Sequence, residues 1–339
     1  MPRLVAAPDK FRGTATAREA AGAIVRAATA RGWTAAAAPM SDGGEGFVEV
    51  LGGDVRTALV HGPLGVPVHA RWSMLEDLTA IIESAEAAGR ALLGAPVGDE
   101  PLSASTYGVG ELLATAQRAG AERIVVGVGG TASTDGGRGC VEALEDDGVT
   151  IHVPLVAACD VLVRFDEAPS RFGPQKGVSA EQIPMLERQL AATANWYRDR
   201  FGVDVTAVDG AGAGGGLAGG LIALGATVVS GARFVAAAID LLGVVQDADL
   251  VVTGEGALDA GTLEGKVVRT VLDIRPSVAA LVLAGRVDDD AGRSLGGSRD
   301  GSLHVVVLTD GRPGHTTTAI ERAVSTYLDD PTTLNSTER

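Results

Sequence analysis

The sequence predicts an α/β protein built from βα units with parallel strands. Short apolar runs alternate with stretches of helical periodicity along the whole chain. Three late runs, "DLVVTG", "VAALVLAG" and "HVVVLTD", each end in a polar or glycine turn ahead of a helical segment. Hydrophobic residues are 46% of 339, which supports substantial cores, and the length suits two domains of ordinary size. Aromatics are only 4%, so Ala, Val, Leu and Gly must do the packing.

The elements follow in order. Arg3 to Ala7 reads as a strand. Thr16, Arg18 and Glu19 open a capping box, and Ala20, Ile24, Ala27 and Ala28 recur at helical spacing until Gly32. "WTAAAAPM" reads as a second strand and "GFVEVLGG" as the start of a helix. "HGPLGVPVHARWSML" has Gly and Pro punctuation around alternating apolar residues, a turn with hairpin strands. "LTAIIESA" is a strand, "YGVGELLATAQRAGA" a helix and "RIVVGVGG" a buried strand. Ser179 and Gln182 cap a long helix whose Ile183, Leu186, Leu190 and Tyr197 share a face. The last helix is capped by Thr318 and Glu321, with Ile320, Ala323, Val324 and Tyr327 inward.

Composition excludes some partners. A formal net charge of −15 disfavours nucleic acid, which needs a basic face. It leaves room for a small anion held by a few Lys and Arg. Cys140 and Cys159 have no CxxC partner and no zinc spacing, so both read as buried apolar residues of a reducing compartment. The N-terminus enters a strand directly, and the most apolar run, "ARFVAAAIDLLGVV", carries Asp240. A cytoplasmic protein with no membrane partner is expected. Nothing fixes the oligomeric state.

In doubly wound sheets ligands sit beyond the carboxyl ends of strands. Four polar, glycine-rich stretches fall at such ends: "APDKFRGT", "PMSDGGEG", "GGTASTDGG" and "TGEGALD". The third belongs to "IVVGVGGTASTDGGRG", which admits three readings: a dinucleotide loop, a structural turn, or part of a phosphoryl-transfer site. Gly127, Gly129 and Ala132 spell G-x-G-x-x-A, but no acidic residue ends a second strand at the required place, which disfavours a nicotinamide cofactor. No Walker A sequence occurs; "GTLEGKVV" has Gly265-Lys266 with the wrong glycine spacing.

Asp42 and Glu45 stand beside Gly43 and Gly44, where carboxylates serve as Mg²⁺ ligands or as a base, or else cap a helix. Asp135 opens a second "DGG", and Glu255 and Asp259 form a third acidic loop. Carboxylates converging from separate strand exits need a cation or a proton. Lys10, Arg12, Lys176 and Lys266 each lie near glycine and are candidates for anion binding. "DGAGAGGGLAGG" is either a ligand loop or a place of close helix–strand approach. None of the five histidines sits in a glycine–acid motif.

Taken in order, these stretches resemble the bacterial type-1 glycerate kinase family. "APDKFRGT" resembles its "APDSFKGS", "PMSDGGEG" its "PMADGGEG" and "GPLGVPVHARW" its "GPLGEPVEARY". "IIESAEAAG" is similar to "VIEMAAASG", "STYGVGEL" to "TTYGTGEL" and "VGVGGTASTDGG" to "VGIGGSATNDGG". "FGPQKG" is identical, and "GAGAGGGLAGGL" and "TGEGALDAGTLEGK" resemble "GAGAAGGLGAGL" and "TGEGRLDGQSLAGK".

The resemblance implies ATP-dependent, Mg²⁺-assisted phosphorylation of D-glycerate to 2- or 3-phosphoglycerate. It also implies a Rossmann-like α/β domain from the N- and C-terminal segments, expected as 1–60 with 245–330, and a second α/β domain inserted as 61–244. Residues 331–339 are expected to fray. Lys10 and Arg12 are then expected to bind the substrate carboxylate or the transferring phosphoryl group. Gly43, Gly44, Gly129, Gly130, Thr131, Lys176 and Lys266 complete the binding set. Asp42 and Asp135 are the candidates for proton acceptance, and Asp42, Glu45, Asp135 and Glu255 for Mg²⁺.

The chain departs from the family pattern at several points. The segment before "ACDV" is short, and "LVRFDEAPSR" follows where the family has an Asn-Pro. Gly261 stands for Gln, Arg12 for Lys and Phe47 for Thr. These changes keep two alternatives open: a kinase of a related hydroxy acid, or a relative that binds without turnover.

Overall fold

The computed structural model describes residues 1–94, 98, 100–259, 262, 266–288, 303–308 and 315–330. The chain divides into two compact units, Met1–Asp42 with Ala232–Arg339, and Gly43–Gly231.

The discontinuous unit is built on a five-stranded sheet. Its strands are β1 (Arg3–Ala6), β2 (Thr34–Ala37), β9 (Leu250–Glu255), β10 (Ala279–Ala284) and β11 (Leu303–Val307), in the order β11-β10-β9-β1-β2. Every pairing is parallel. All six residues of β9 are buried, as a central parallel strand requires. Helix Ala17–Thr29 starts on the expected capping box: Glu19 N donates to Thr16 Oγ1 and Thr16 N donates to Glu19 Oε2. Its Ala20, Ile24, Ala27 and Ala28 pack into one cluster with Leu4, Val252, Leu281, Ile320 and Val324.

The inserted unit holds a six-stranded sheet of β3 (Asp54–His61), β4 (Pro67–Met74), β5 (Thr79–Glu83), β6 (Arg123–Gly127), β7 (Leu155–Ala158) and β8 (Thr227–Val229), in that order. β3, β4 and β5 run antiparallel; β5 to β8 are parallel. Its core gathers Trp72, Ile82, Leu112, Leu113, Ile124, Val126 and Leu217. Helix Ile183–Phe201 buries Leu186, Leu190 and Tyr197; Ile183, expected on that face, is only half-buried.

The division differs from the expected one. A boundary after residue 60 cuts through β3, which pairs along its whole length with β4 and so belongs to the inserted unit. "DVRTALVH" carries no continuous apolar run, and as an edge strand it leaves Val55 and Leu59 exposed. The hairpin in "HGPLGVPVHARWSML" is therefore β4 with a partner that precedes the quoted run. β7 and β8 also carry little pattern, at four and three residues. The last helix begins at Thr316 rather than at a Thr318 cap, and Glu321 pairs with Arg26 instead. The tail expected to fray, and Gly261 and Gly265, lie outside the described residues. "ARFVAAAIDLLGVV" forms two helices broken at Asp240, whose φ is +48° and whose side chain accepts from Gly243 N. Among the described residues no helix is long and apolar enough to cross a membrane. Cys140 and Cys159 are buried and form no disulfide.

Candidate active site

In the discontinuous unit, three parallel strand exits bring charges together. β1 leads into Asp9 and Lys10, β2 into Asp42, and β9 ends on Glu255. Lys10 Nζ donates to Asp42 Oδ1 at 3.1 Å and stands 3.7 Å from Asp9 Oδ1. Burial works against the Lys10 charge, but Asp42 and Asp9 outweigh it and raise its pKa. Asp9 is 5% exposed. Burial pushes its carboxyl up to about 6, Lys10 pulling down and Asp42 adding to the rise. Glu255 is pushed up to about 7 by burial, against the hydroxyl of Thr262, which donates to its Oε1 at 2.6 Å. Lys266 stands 3.7 Å from Asp259 and lowers the pKa of both Asp9 and Glu255. Arg12 is exposed.

Asp9 and Thr262 are the residues sequence reasoning missed here. A carboxylate directly beyond a buried strand was the available signal for Asp9. Thr262 had none, since its role depends on a side chain seven residues away.

In the inserted unit, the loop after β6 is tied down from several directions. Asp135, expected as base or metal ligand, has its oxygens occupied. Oδ2 accepts from Thr106 N and Thr106 Oγ1 at 2.8 Å, Gly139 N at 3.2 Å and Ser105 Oγ at 3.5 Å, and Oδ1 accepts from Gly137 N at 3.1 Å. A carboxylate offers about four acceptor positions, so little remains for a substrate proton or a cation. Asp135 holds the start of helix Arg138–Asp146 against Thr106.

Gly43 and Gly44 also serve packing. Gly43 has φ +90°, and a Cβ there would run into the Ala158 carbonyl. A Cβ on Gly129 would sit 2.7 Å from Gly44 Cα. The backbone that approaches these glycines is that of the β6 and β7 exits. Glu83, at the end of β5, accepts from Gly46 N at 3.0 Å and fixes the start of helix Phe47–Leu51. Glu45 lies against Gly130, whose φ is +69°.

Gly129 and Gly130 are half-buried; Thr131 is 3% exposed, and its Oγ1 donates to Gly214 O at 2.9 Å. Lys176 is 5% exposed and donates to Ser133 O and Thr131 Oγ1. Arg90, unmarked in the sequence, donates from its backbone to Gly130 O and from Nη1 to Gln175 O.

The four carboxylates expected to hold Mg²⁺ are thus divided, Asp42 and Glu255 in one unit and Glu45 and Asp135 in the other. Among the described residues no three acidic, His or Cys side chains come close enough to cage a metal ion. Asp42, Asp9 and Glu255 do fit Mg²⁺ in a looser sense. They are oxygen donors, Asp42 raising the pKa of Asp9 and both raising that of Glu255, and Mg²⁺ is commonly held by one or two carboxylates completed by phosphate oxygens and water.

One parallel and one mixed sheet, with charged and glycine-rich loops at the exits of their parallel strands, define a two-unit α/β protein of the class in which ligands sit at strand ends. The glycerate kinase family model matches residues 4–152 and 147–326, and the chain belongs to that family. It is 36% identical over 331 residues to the glycerate kinase of Bacillus subtilis, covering 85% of this chain and 86% of that one. Identity to the glycerate 2-kinase of Escherichia coli is also 36% over 331 residues, covering 86% and 87%. A Salmonella typhimurium LT2 crystal structure, of a protein assigned as a glycerate kinase 2, superposes with a TM-score of 0.77 at 29% identity and full coverage of both chains.

Proposed function

We propose that the chain transfers the terminal phosphoryl group of ATP to a hydroxyl of D-glycerate. The observation that carries this reading is the family match, which runs through both units from residue 4 to 326. The name of the Escherichia coli relative favours the 2-hydroxyl and 2-phosphoglycerate as product.

Phosphoryl transfer asks for positioning and charge neutralisation more than covalent help. Asp42 is the better candidate for accepting the hydroxyl proton. Its side chain is 24% exposed and its Oδ1 is oriented by Lys10, whereas the Asp135 carboxylate is engaged by Thr106, Gly137 and Gly139. Lys10 and Lys266 supply positive charge at the same strand exits, with Arg12 exposed beside them. Mg²⁺, held by Asp42, Asp9 or Glu255, supplies neutralisation of the phosphate oxygens when bound. Gly129 and Gly130 offer half-exposed backbone at the β6 exit for an anionic group. The protein works in the cytoplasm on a small molecule, without nucleic acid or membrane.

The test is an ADP-release assay with ATP and Mg²⁺ on D-glycerate, L-glycerate, glycolate and tartronate, with the product position read by ³¹P NMR. Turnover on D-glycerate with a 2-phosphate product is expected. Turnover confined to another hydroxy acid makes this a kinase of that acid. Binding without turnover on any of them overturns the enzyme reading.

A further inference from the structure

Lys176 stands in "FGPQKG", a glycine-flanked position that invites a phosphate contact. The structure places it otherwise. It closes the short turn Pro174–Lys176, followed by Gly177 at φ +88°, and is 5% exposed. Its Nζ donates to the carbonyl of Ser133 and to Thr131 Oγ1 at 3.3 Å. Thr131 Oγ1 in turn donates to Gly214 O, and Gly136 N donates to Gly215 O at 3.0 Å. A Cβ on Gly215, at φ +73°, would meet Ser133 O and lie 2.6 Å from the ammonium. The glycine run is therefore open at this point because the lysine head fills it.

We infer that Lys176 is a positioning residue: it clamps the Thr131–Asp135 loop to the glycine run at 214–216, and takes up no phosphate itself. Two further observations agree. Ser133 Oγ and Thr134 Oγ1 are buried with no hydrogen-bond partner, so between the bonds made by Thr131 and Asp135 the loop's side chains add no anchor, and Lys176 supplies one at the Ser133 carbonyl. Burial brings the Lys176 amine down to about 7; Asp135 from the same loop opposes the shift without reversing it, and Arg90 from the turn after Ala88 adds to it. An amine so placed still donates to both partners when neutral, as a clamp needs and a phosphate ligand does not.

The inference rests on the kinase reading only for its activity readout. Lys176→Met, Lys176→Gln and Thr131→Val are compared with the wild type by kcat and KM, and by hydrogen exchange in peptides spanning 129–137 and 211–217. In Lys176→Met, kcat/KM is expected to fall about 100-fold, the effect of a misplacement of ~1 Å at a reacting centre. Exchange should rise about 10-fold in both peptides and stay constant in peptides from β1 and β2. Lys176→Gln keeps an N–H toward Ser133 and should recover part of both losses; Thr131→Val should reproduce part of both. Lost activity with unchanged exchange in Lys176→Met would mean that the lysine touches a ligand and would overturn the inference. So would unchanged activity and exchange together. If Lys176→Met does not fold, unchanged exchange in Thr131→Val overturns it. If the wild type lacks glycerate turnover, the kinase reading fails and the exchange data still decide the clamp.

Discussion

Removing the Asp135 carboxylate separates a structural pin from a catalytic base. In Asp135→Ala, the N–H groups of Thr106, Gly137 and Gly139 and the hydroxyl of Thr106 all lose their acceptor. Each orphaned buried donor costs about 1–3 kcal/mol, and bonds to a charged acceptor lie at the upper end. Asp135 is half-buried, so water replaces some of these bonds, and losses within one network do not add. A net cost of about 3–5 kcal/mol follows, a large fraction of the ~5–15 kcal/mol that holds a domain. Asp135→Asn is the sharper probe. Both carboxylate oxygens accept from N–H groups, so an amide must set its own NH₂ against a donor whichever way it flips.

The assay is differential scanning calorimetry of the ligand-free protein, with the Gly43–Gly231 transition followed separately, since two units need not melt together. A loss of ~3–5 kcal/mol lowers that transition by roughly 6–20 °C in a unit of this size. Turnover should persist in the fraction that remains folded at low temperature. If Asp135→Asn melts within about 2 °C of wild type while kcat falls more than ~100-fold, the pin reading is wrong and the carboxylate takes part in the chemistry.

Asp42→Asn should show the opposite balance: kcat down at least ~100-fold, as for loss of a general base, with little change in melting. Gly43→Ala combines a φ of +90° with a clash against the Ala158 carbonyl and should prevent proper folding, whereas Gly13→Ala, at φ +74° with open space around it, should cost only ~1–2 kcal/mol by thermal melt. Lys176 has a folded pKa of about 7 against about 10.5 unfolded, so the unfolded state binds the extra proton between those values. Its contribution to stability is present above the unfolded pKa and is lost as pH falls toward 7. Wild type should therefore gain up to about 1.4 kcal/mol per pH unit over Lys176→Met between roughly pH 7 and 9 in urea titrations; parallel curves would refute the buried-amine assignment.

Parallel strands were legible because burial on both faces leaves continuous apolar runs, and β1, β6, β9 and β10 all read that way. β3 was not, because an edge strand with one exposed face has no such run. The positions of the glycine–acid motifs were legible too, since each follows a strand. Their work was not. Whether Asp135 is free depends on Thr106, twenty-nine residues earlier on another element. Whether Gly43 admits a ligand depends on the carbonyl of Ala158. Such facts belong to tertiary packing, and no local pattern encodes them.

The two "DGG" sequences make the same point from physics. Asp42 and Asp135 share the same following glycines, yet their surroundings differ in kind. Asp135 is met by amide and hydroxyl donors, which satisfy an anion without a counter-charge and leave it little capacity for anything else. Asp42 is met by a lysine ammonium and by two further carboxylates, Asp9 and Glu255, whose own pKa values it helps to raise. That second arrangement is unfavourable in isolation, because three acids crowd around Lys10 and Lys266 at one end of a sheet. Crowding of this sort is relieved by a cation or by a proton drawn from a substrate hydroxyl. A fold retains it where the relief is part of the work, and this is the ground for the proposal that the chemistry takes place at the exits of β1, β2 and β9, with the Asp135 loop supplying geometry rather than a reacting group.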